Sequence, residues 1–122
     1  MSWIAQAPSS FVGQPVGNEQ CAAYVQVASG APNTSQWRRG SLVKGGGVPQ
    51  GTAIATFDPN GTYGNHTDGR SHAAILHEEL PEGLLVWDQW LHHPVAPRVI
   101  NFRGGAGAPV NDGDQFYVIE AV

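Results

Sequence analysis

The chain has 122 residues, which is enough for a single domain, 1–122, with a substantial core, and 41% of them are hydrophobic, so global disorder is not expected. The formal net charge is −4 and the six Lys and Arg residues form no basic stripe, which argues against a nucleic-acid partner. No run approaches the roughly 20 apolar residues that span a membrane, so we expect no membrane partner.

The N-terminal segment 1–7 lacks the basic region and the apolar run of a secretory signal. We therefore expect a protein that is cytoplasmic as synthesised, and any action outside its cell would require a signal-independent export route. The chain contains one cysteine, which cannot form an internal disulfide, so the fold should not depend on oxidation.

The segment 17–25 predicts the start of a helix. Asn18 is a favourable N-cap, and Gly30 is a favourable C-terminal glycine, so we expect a helix from Glu19 to the residue before Gly30. This assignment places Cys21 in the first turn, at the third helical position. The free N–H groups and the dipole at a helix start favour a thiolate over a thiol.

Cys21, Tyr24, Val25 and Ala28 follow the i, i+3, i+4, i+7 spacing of one helix face. The sulfur should therefore face the rest of the protein rather than solvent. A cysteine in this position is a candidate nucleophile if a base can reach it.

The remainder of the chain predicts one short helical turn and a series of strands. Segment 32–40 indicates a second short helix or turn, anchored by Trp37. Apolar and β-branched runs indicate strands at 52–57, 72–77, 84–90, 99–103 and 115–119. We therefore expect an α+β fold in which an N-terminal helix carrying Cys21 packs on an antiparallel sheet of four to six strands.

His72 is the best-placed base among the five histidines, because it opens an apolar strand at the rim of the predicted sheet. An odd number of residues in the following turn would place Asp88 on the face of His72, where a carboxylate could orient the imidazole. A register slip of one residue would deliver Gln89 instead. We prefer Asp88, and Gln89 stays open.

Four segments, in this order, resemble the papain-like bacterial amidopeptidases of the NlpC/P60 and CHAP families. They are Gly17–Val25, Gly51–Phe57, Ser71–Leu76 and Val86–Trp90. At Thr52 these families usually have an aspartate. The chain is also similar to the compact Cys–His amidases that some bacteria inject into rivals through type VI secretion.

This resemblance implies Cys21 as nucleophile, His72 as general base and then general acid, and Asp88 as the orienting residue. It also implies an oxyanion hole made by the backbone N–H of Cys21 and a second donor, for which Gln14 and Gln20 are candidates. The expected reaction is hydrolysis of an amide bond in peptidoglycan stem peptides, without a cofactor or metal. The implied partners are a peptidoglycan peptide substrate and an immunity or export protein.

Other interpretations of the same residues stay open. The chain could be a non-catalytic domain of this fold that binds a peptide, a glycan or a partner protein, or a Cys–His deamidase of protein glutamine. Three aromatic residues could line a substrate groove or could instead be packing; they are Tyr24, Trp37 and Trp90. No pair of histidines shows the helical spacing of metal ligands, which argues against a catalytic metal.

Overall fold

The computed structural model describes residues 2–121, which form one α-helix and six β-strands connected by loops and short 3-10 turns. The elements in chain order are α1 (Cys21–Ser29), β1 (Trp37–Leu42), β2 (Ala53–Ala55), β3 (Ala73–Glu79), β4 (Gly83–Trp90), β5 (His93–Asn101) and β6 (Tyr117–Ala121). The α+β class predicted from the sequence is confirmed. Within residues 2–121, no helix is both long enough and apolar enough to cross a bilayer.

The six strands form one sheet in the order β1-β6-β2-β3-β4-β5, with antiparallel pairing between neighbours. Side chains that alternate along β3 divide the core into two clusters, one on each face of the sheet. Ala73 and Ile75 belong to the cluster that contains the buried face of α1, whereas Ala74 and Leu76 belong to the cluster on the opposite face. The helix therefore covers one face only, with its N-terminus near the end of the sheet where β3 begins.

The predicted start of α1 was wrong by two residues. Glu19 has a φ of 70°, a left-handed conformation that cannot belong to a right-handed helix, and α1 begins at Cys21 with Gln20 as its N-cap. Asn18 does accept a backbone hydrogen bond, but from the N–H of Gln20 at 3.0 Å within the preceding turn. The predicted end is confirmed, because Gly30 has a φ of 80° and donates to the carbonyl of Gln26 at 2.9 Å.

Strand β1 was missed by the sequence prediction. The predicted turn before it exists, since the Asn33 side chain accepts from the N–H of Ser35 at 2.9 Å at the start of a 3-10 turn. Trp37, however, opens a strand that pairs with β6 rather than ending a helical turn. Its ring is wholly buried and its Nε1 donates to the carbonyl of Pro32 at 2.9 Å.

A β-bulge sets the register between β3 and β4. Glu78 pairs with Leu85, but Leu76 pairs with Val86, so His77 is an extra residue on β3. The pairs before the bulge, Ile75 with Trp87 and Leu76 with Val86, have the predicted register, in which Asp88 shares the face of His72. The prediction explained this register by an odd number of residues in the turn. In the structure, the bulge produces it instead.

Candidate active site

Cys21, the first residue of α1, lines a cleft of about 550 Å³. Its side chain is half-buried against the helix-side core cluster, as the inward face of the helix predicted. The sulfur lies 3.6 Å from the phenolic oxygen of Tyr63, and the backbone N–H of Ala73 also donates to it. The only cysteine of the chain is thus open to the cleft on one side and held by polar groups on the other.

His72 lies immediately before β3, buried at the end of the sheet beside Cys21. Thr56 fixes its backbone, because its N–H donates to the His72 carbonyl at 3.0 Å and its hydroxyl oxygen accepts from the His72 N–H at 3.0 Å. The Nε2 of His72 donates to Asp88 Oδ2 at 2.7 Å. This bond commits one ring nitrogen to the carboxylate and leaves Nδ1 for the sulfur.

Cys21 and His72 shift each other's pKa values towards an ion pair. Burial raises the pKa of the Cys21 thiol. The hydrogen bond and the charge of His72 act in the opposite direction, and the pKa lies below its ordinary value. Burial lowers the pKa of His72, but its bonds to Asp88 and Cys21 and the charges of both raise it to about 9. Both shifts favour the thiolate–imidazolium pair over the neutral pair, and the thiolate is the form in which a cysteine is nucleophilic.

Asp88 accepts a second hydrogen bond from a residue that the sequence prediction did not include. Its carboxylate is 1% exposed, and the same Oδ2 that binds His72 accepts from Arg98 Nε at 2.8 Å. Arg98 also lies over the ring of Trp90, 5.1 Å from its centroid, and Trp90 stacks on His93 at 3.8 Å. The carboxylate is therefore held between two cationic partners at the wall of the cleft.

Gln89 points to the face of the sheet opposite Asp88, and it was wrong as an orienting or oxyanion candidate. Its Oε1 accepts from the N–H of Val16 at 2.9 Å, and its Nε2 donates to the carbonyls of Val16 and Gln20 at 2.9 and 2.8 Å. All of these partners are backbone atoms just before α1. Gln89 thus secures the start of the helix, and its side-chain hydrogen bonds go to backbone atoms rather than to His72.

The two glutamines proposed as second oxyanion donors lie in different places. The Gln14 side chain is exposed and the residue does not line the cleft, so Gln14 was wrong as a donor. Gln20 lines the cleft next to Cys21 and stays a candidate.

Two of the three aromatic groove candidates were wrong. Tyr24 and Trp37 are fully buried in the helix-side core, and the Tyr24 hydroxyl donates to the carbonyl of Pro8 at 3.0 Å. Trp90 does line the cleft and is 39% exposed, with His93 stacked on its ring and the Arg98 guanidinium over the ring. Trp90 therefore forms part of the wall, and its ring is already in contact with two neighbouring side chains.

Tyr63 and Arg98 are the residues of this site that sequence reasoning missed. Arg98 pairs with Val86 within β5, but the prediction began this strand at 99, after two prolines that an edge strand tolerates. Tyr63 lies in the loop between β2 and β3, where no periodicity could place it beside Cys21. Its ring is packed against Trp37 at 4.8 Å, and burial and the neighbouring sulfur raise its pKa far above the ordinary value.

His66, which also lines the cleft, forms a second histidine–carboxylate pair with Asp58. His66 Nε2 lies 2.9 Å from Asp58 Oδ2, and a Cβ on Gly64 would occupy the space of both side chains. Within residues 2–121, no three His, Cys, Asp or Glu side chains come together in the arrangement of metal ligands.

The chain is similar to known proteins both in sequence and in fold. The family model described as Domesticated amidase effector 2 matches residues 2–119. The protein named Domesticated amidase effector 2 from Ixodes scapularis is 38% identical over 122 residues, which cover 93% of this chain and 81% of that protein. The solved structure of Type 6 secretion amidase effector 2 (Tae2) superposes with a TM-score of 0.83 at 27% identity, over 98% of this chain and 95% of Tae2.

Proposed function

The chain belongs to the Domesticated amidase effector 2 family and is an amidase, and we propose that it hydrolyses an amide bond in peptidoglycan stem peptides with Cys21 as its nucleophile. The resemblance to papain-like amidases and to type VI amidase effectors is confirmed by these matches. The bond that is cut and the roles of the individual residues belong to the proposal.

The contact series from Cys21 through His72 to Asp88 is the observation that carries the proposal. A sulfur at a helix start interacts with an imidazole whose other nitrogen lies 2.7 Å from a buried carboxylate. Nucleophile, base and orienting group follow one another as they do in hydrolytic triads. A binding domain of the same fold would have no need to bury an ion pair at the wall of its cleft.

In the first half of the reaction, the Cys21 thiolate attacks the carbonyl carbon of the amide. The C–N bond then breaks as the His72 imidazolium gives its proton to the amine nitrogen that leaves, and the acyl group remains on sulfur as a thioester. Asp88 stabilises the imidazolium before this step and keeps its ring in the productive orientation.

In the second half, the now neutral His72 takes a proton from a water molecule, and the oxygen of that water attacks the thioester carbonyl. The C–S bond breaks, the product leaves with a new carboxyl group, and Cys21 and His72 return to the thiolate–imidazolium pair. Each half of the cycle moves one proton through His72, so the site ends as it began.

The negative charge that develops on the carbonyl oxygen requires two donors, and we assign them to the backbone N–H of Cys21 and the hydroxyl of Tyr63. The N–H of Cys21 belongs to a helix start, where such groups point at anions. The Tyr63 oxygen lies 3.6 Å from the sulfur, a separation that leaves room for an oxyanion within hydrogen-bonding distance of the hydroxyl. Gln20 is the alternative second donor.

Mass spectrometry of digested peptidoglycan tests this proposal. We expect the wild-type protein to release muropeptides with a new amine and a new carboxyl terminus, and Cys21→Ala to release none. Val27→Ala is the matched control, because Val27 lies on the same helix, is 57% exposed and does not line the cleft. Intact muropeptides alongside a protein glutamine that gains about one mass unit would contradict hydrolysis and indicate a deamidase instead.

A further inference from the structure

The guanidinium of Arg98 has hydrogen-bonding capacity that the proposed Cys21–His72–Asp88 chemistry does not use. An arginine has five N–H donors, and only the one on Nε is committed, to Asp88 Oδ2 at 2.8 Å. Nη2 lies 3.4 Å from His72 Nε2, but that nitrogen already donates its own proton to Asp88 and cannot accept another. Within residues 2–121, the N–H groups of Nη1 and Nη2 thus have no acceptor.

Arg98 is held rigidly at the wall of the cleft, next to the reacting groups. Asp88 fixes its Nε, the face of Trp90 lies against its guanidinium, and Trp90 is itself stacked on His93. The Arg98 side chain is 29% exposed and lines the same cleft as Cys21. A guanidinium that is already oriented loses little conformational freedom when it binds a ligand.

The groups that the cleft exposes around Arg98 suit a negatively charged ligand. The protein as a whole carries a net charge of −4, yet none of the described residues that line the cleft is Asp or Glu. Of the histidines that line it, His66 is paired with Asp58, and His72 is bound to Asp88. Arg98 is itself paired with Asp88, but that carboxylate is 1% exposed whereas the Arg98 side chain is 29% exposed, so the cleft surface presents guanidinium N–H donors and no carboxylate to a negatively charged group.

We propose that Arg98 binds a free carboxylate that the substrate carries beside the scissile amide. The substrate class would then be an amide flanked by a carboxylate rather than by a carboxamide or an uncharged side chain. A stem peptide offers several such groups, and a planar guanidinium recognises a carboxylate through paired N–H donors. This inference rests on the proposed function, because it takes Cys21 as the atom that attacks the neighbouring amide.

Synthetic stem peptides test the assignment once the muropeptide digest has identified the bond that is cut. Each carboxylate that flanks this bond is converted in turn to a carboxamide, which removes the charge with almost no change in shape. For one of these positions we expect kcat/KM of the wild-type protein to fall about 10- to 100-fold, the effect of losing one charge-assisted hydrogen-bonded contact. In Arg98→Gln, the same pair of peptides should differ by less than about 2-fold.

Two controls separate recognition from damage to the site. The ratio between the two peptides cancels any general loss that Arg98→Gln causes through Asp88, and Arg98→Lys should retain part of the preference. Arg39→Gln, which removes an arginine that does not line this cleft, should keep the full preference. Equal hydrolysis of all the peptides by the wild-type protein would overturn the role of Arg98, whereas no hydrolysis of any peptide would overturn the proposed function, and this inference with it.

Discussion

Asp88 and Gln89 are consecutive residues of β4 that point to opposite faces of the sheet. Both are almost completely buried, at 1% and 0% exposure, and both make hydrogen bonds to residues distant in sequence. Asp88 binds two cationic side chains at the cleft, those of His72 and Arg98. Gln89 binds only backbone atoms, those of Val16 and Gln20, in the segment that leads into α1.

The difference shows how one strand joins the two halves of the proposed site. Through Asp88 it orients the imidazole on one face, and through Gln89 it fixes the start of the helix that carries Cys21 on the other face. Asp88 and Gln89 are neighbours on one rigid backbone. The same strand therefore fixes the positions of both the imidazole and the sulfur. A loss at Asp88 should therefore damage the chemistry, whereas a loss at Gln89 should damage the fold.

The largest effect should come from Asp88→Asn. The amide cannot stabilise an imidazolium and favours the wrong tautomer of His72, so we expect kcat/KM for muropeptide hydrolysis to fall about 10²- to 10⁴-fold. Steady-state kinetics measures this loss, and thermal unfolding should show that the variant remains folded. A variant with kcat/KM within about 3-fold of the wild-type value would exclude Asp88 from the chemistry.

Tyr63→Phe tests the site, and Tyr24→Phe is its matched control. Both tyrosines are buried, but the Tyr24 hydroxyl lies in the core, away from the cleft. If Tyr63 donates to the oxyanion, its loss should lower kcat about 10²- to 10³-fold with little change in KM. Alkylation of Cys21 forms no oxyanion, so its rate should stay nearly unchanged when it is measured at a pH above the thiol pKa of both proteins. Tyr24→Phe should lower the free energy of unfolding and leave kcat in place, since its hydroxyl donates only to Pro8.

A Tyr63→Phe variant that lost alkylation and hydrolysis in equal proportion would show that Tyr63 acts on the thiolate itself. Full activity in this variant would leave Gln20 as the second donor.

Gln89→Leu should lower the stability of the fold and leave most of the activity, the reverse of Asp88→Asn. The substitution leaves the N–H and the carbonyl of Val16 without partners in the interior, and we expect the free energy of unfolding to fall by about 2–4 kcal/mol. Denaturant unfolding measures this change. Below the unfolding transition, kcat should stay within about 10-fold of the wild-type value. A loss of kcat at unchanged stability would contradict the distinction between Gln89 and Asp88.

Sequence reasoning could identify the helix, most of the sheet and the meeting of His72 with Asp88, because periodicity and turn residues are local signals. The exact start of α1 could not be predicted, since Asn18 suits either an N-cap or a turn and only the tertiary structure places Glu19 in a left-handed conformation. The register of β3 and β4 depends on a bulge at His77, which no local pattern marks.

Arg98 and Tyr63, the two site residues that the sequence did not predict, lie in segments whose local pattern does not indicate a regular element. Arg98 directly follows the second of two prolines in an edge strand, and Tyr63 lies in an irregular loop, so neither belonged to a predicted element. Trp37 shows the converse error, because its aromatic ring suggested a groove although it anchors β1 in the core. Tertiary contacts, rather than propensity, decide the place of such residues.

The most direct test of the central claim is the rate of Cys21 alkylation by iodoacetamide as a function of pH. The chain has one cysteine, so the modified protein reports this residue alone. Because His72 lowers the thiol pKa, we expect the rate to inflect below the ordinary thiol pKa of about 8.5, and His72→Ala to raise the inflection, because only the smaller effects of Tyr63 and Ala73 then oppose burial. A wild-type inflection at about 8.5 or higher would contradict the thiolate–imidazolium pair on which the account depends.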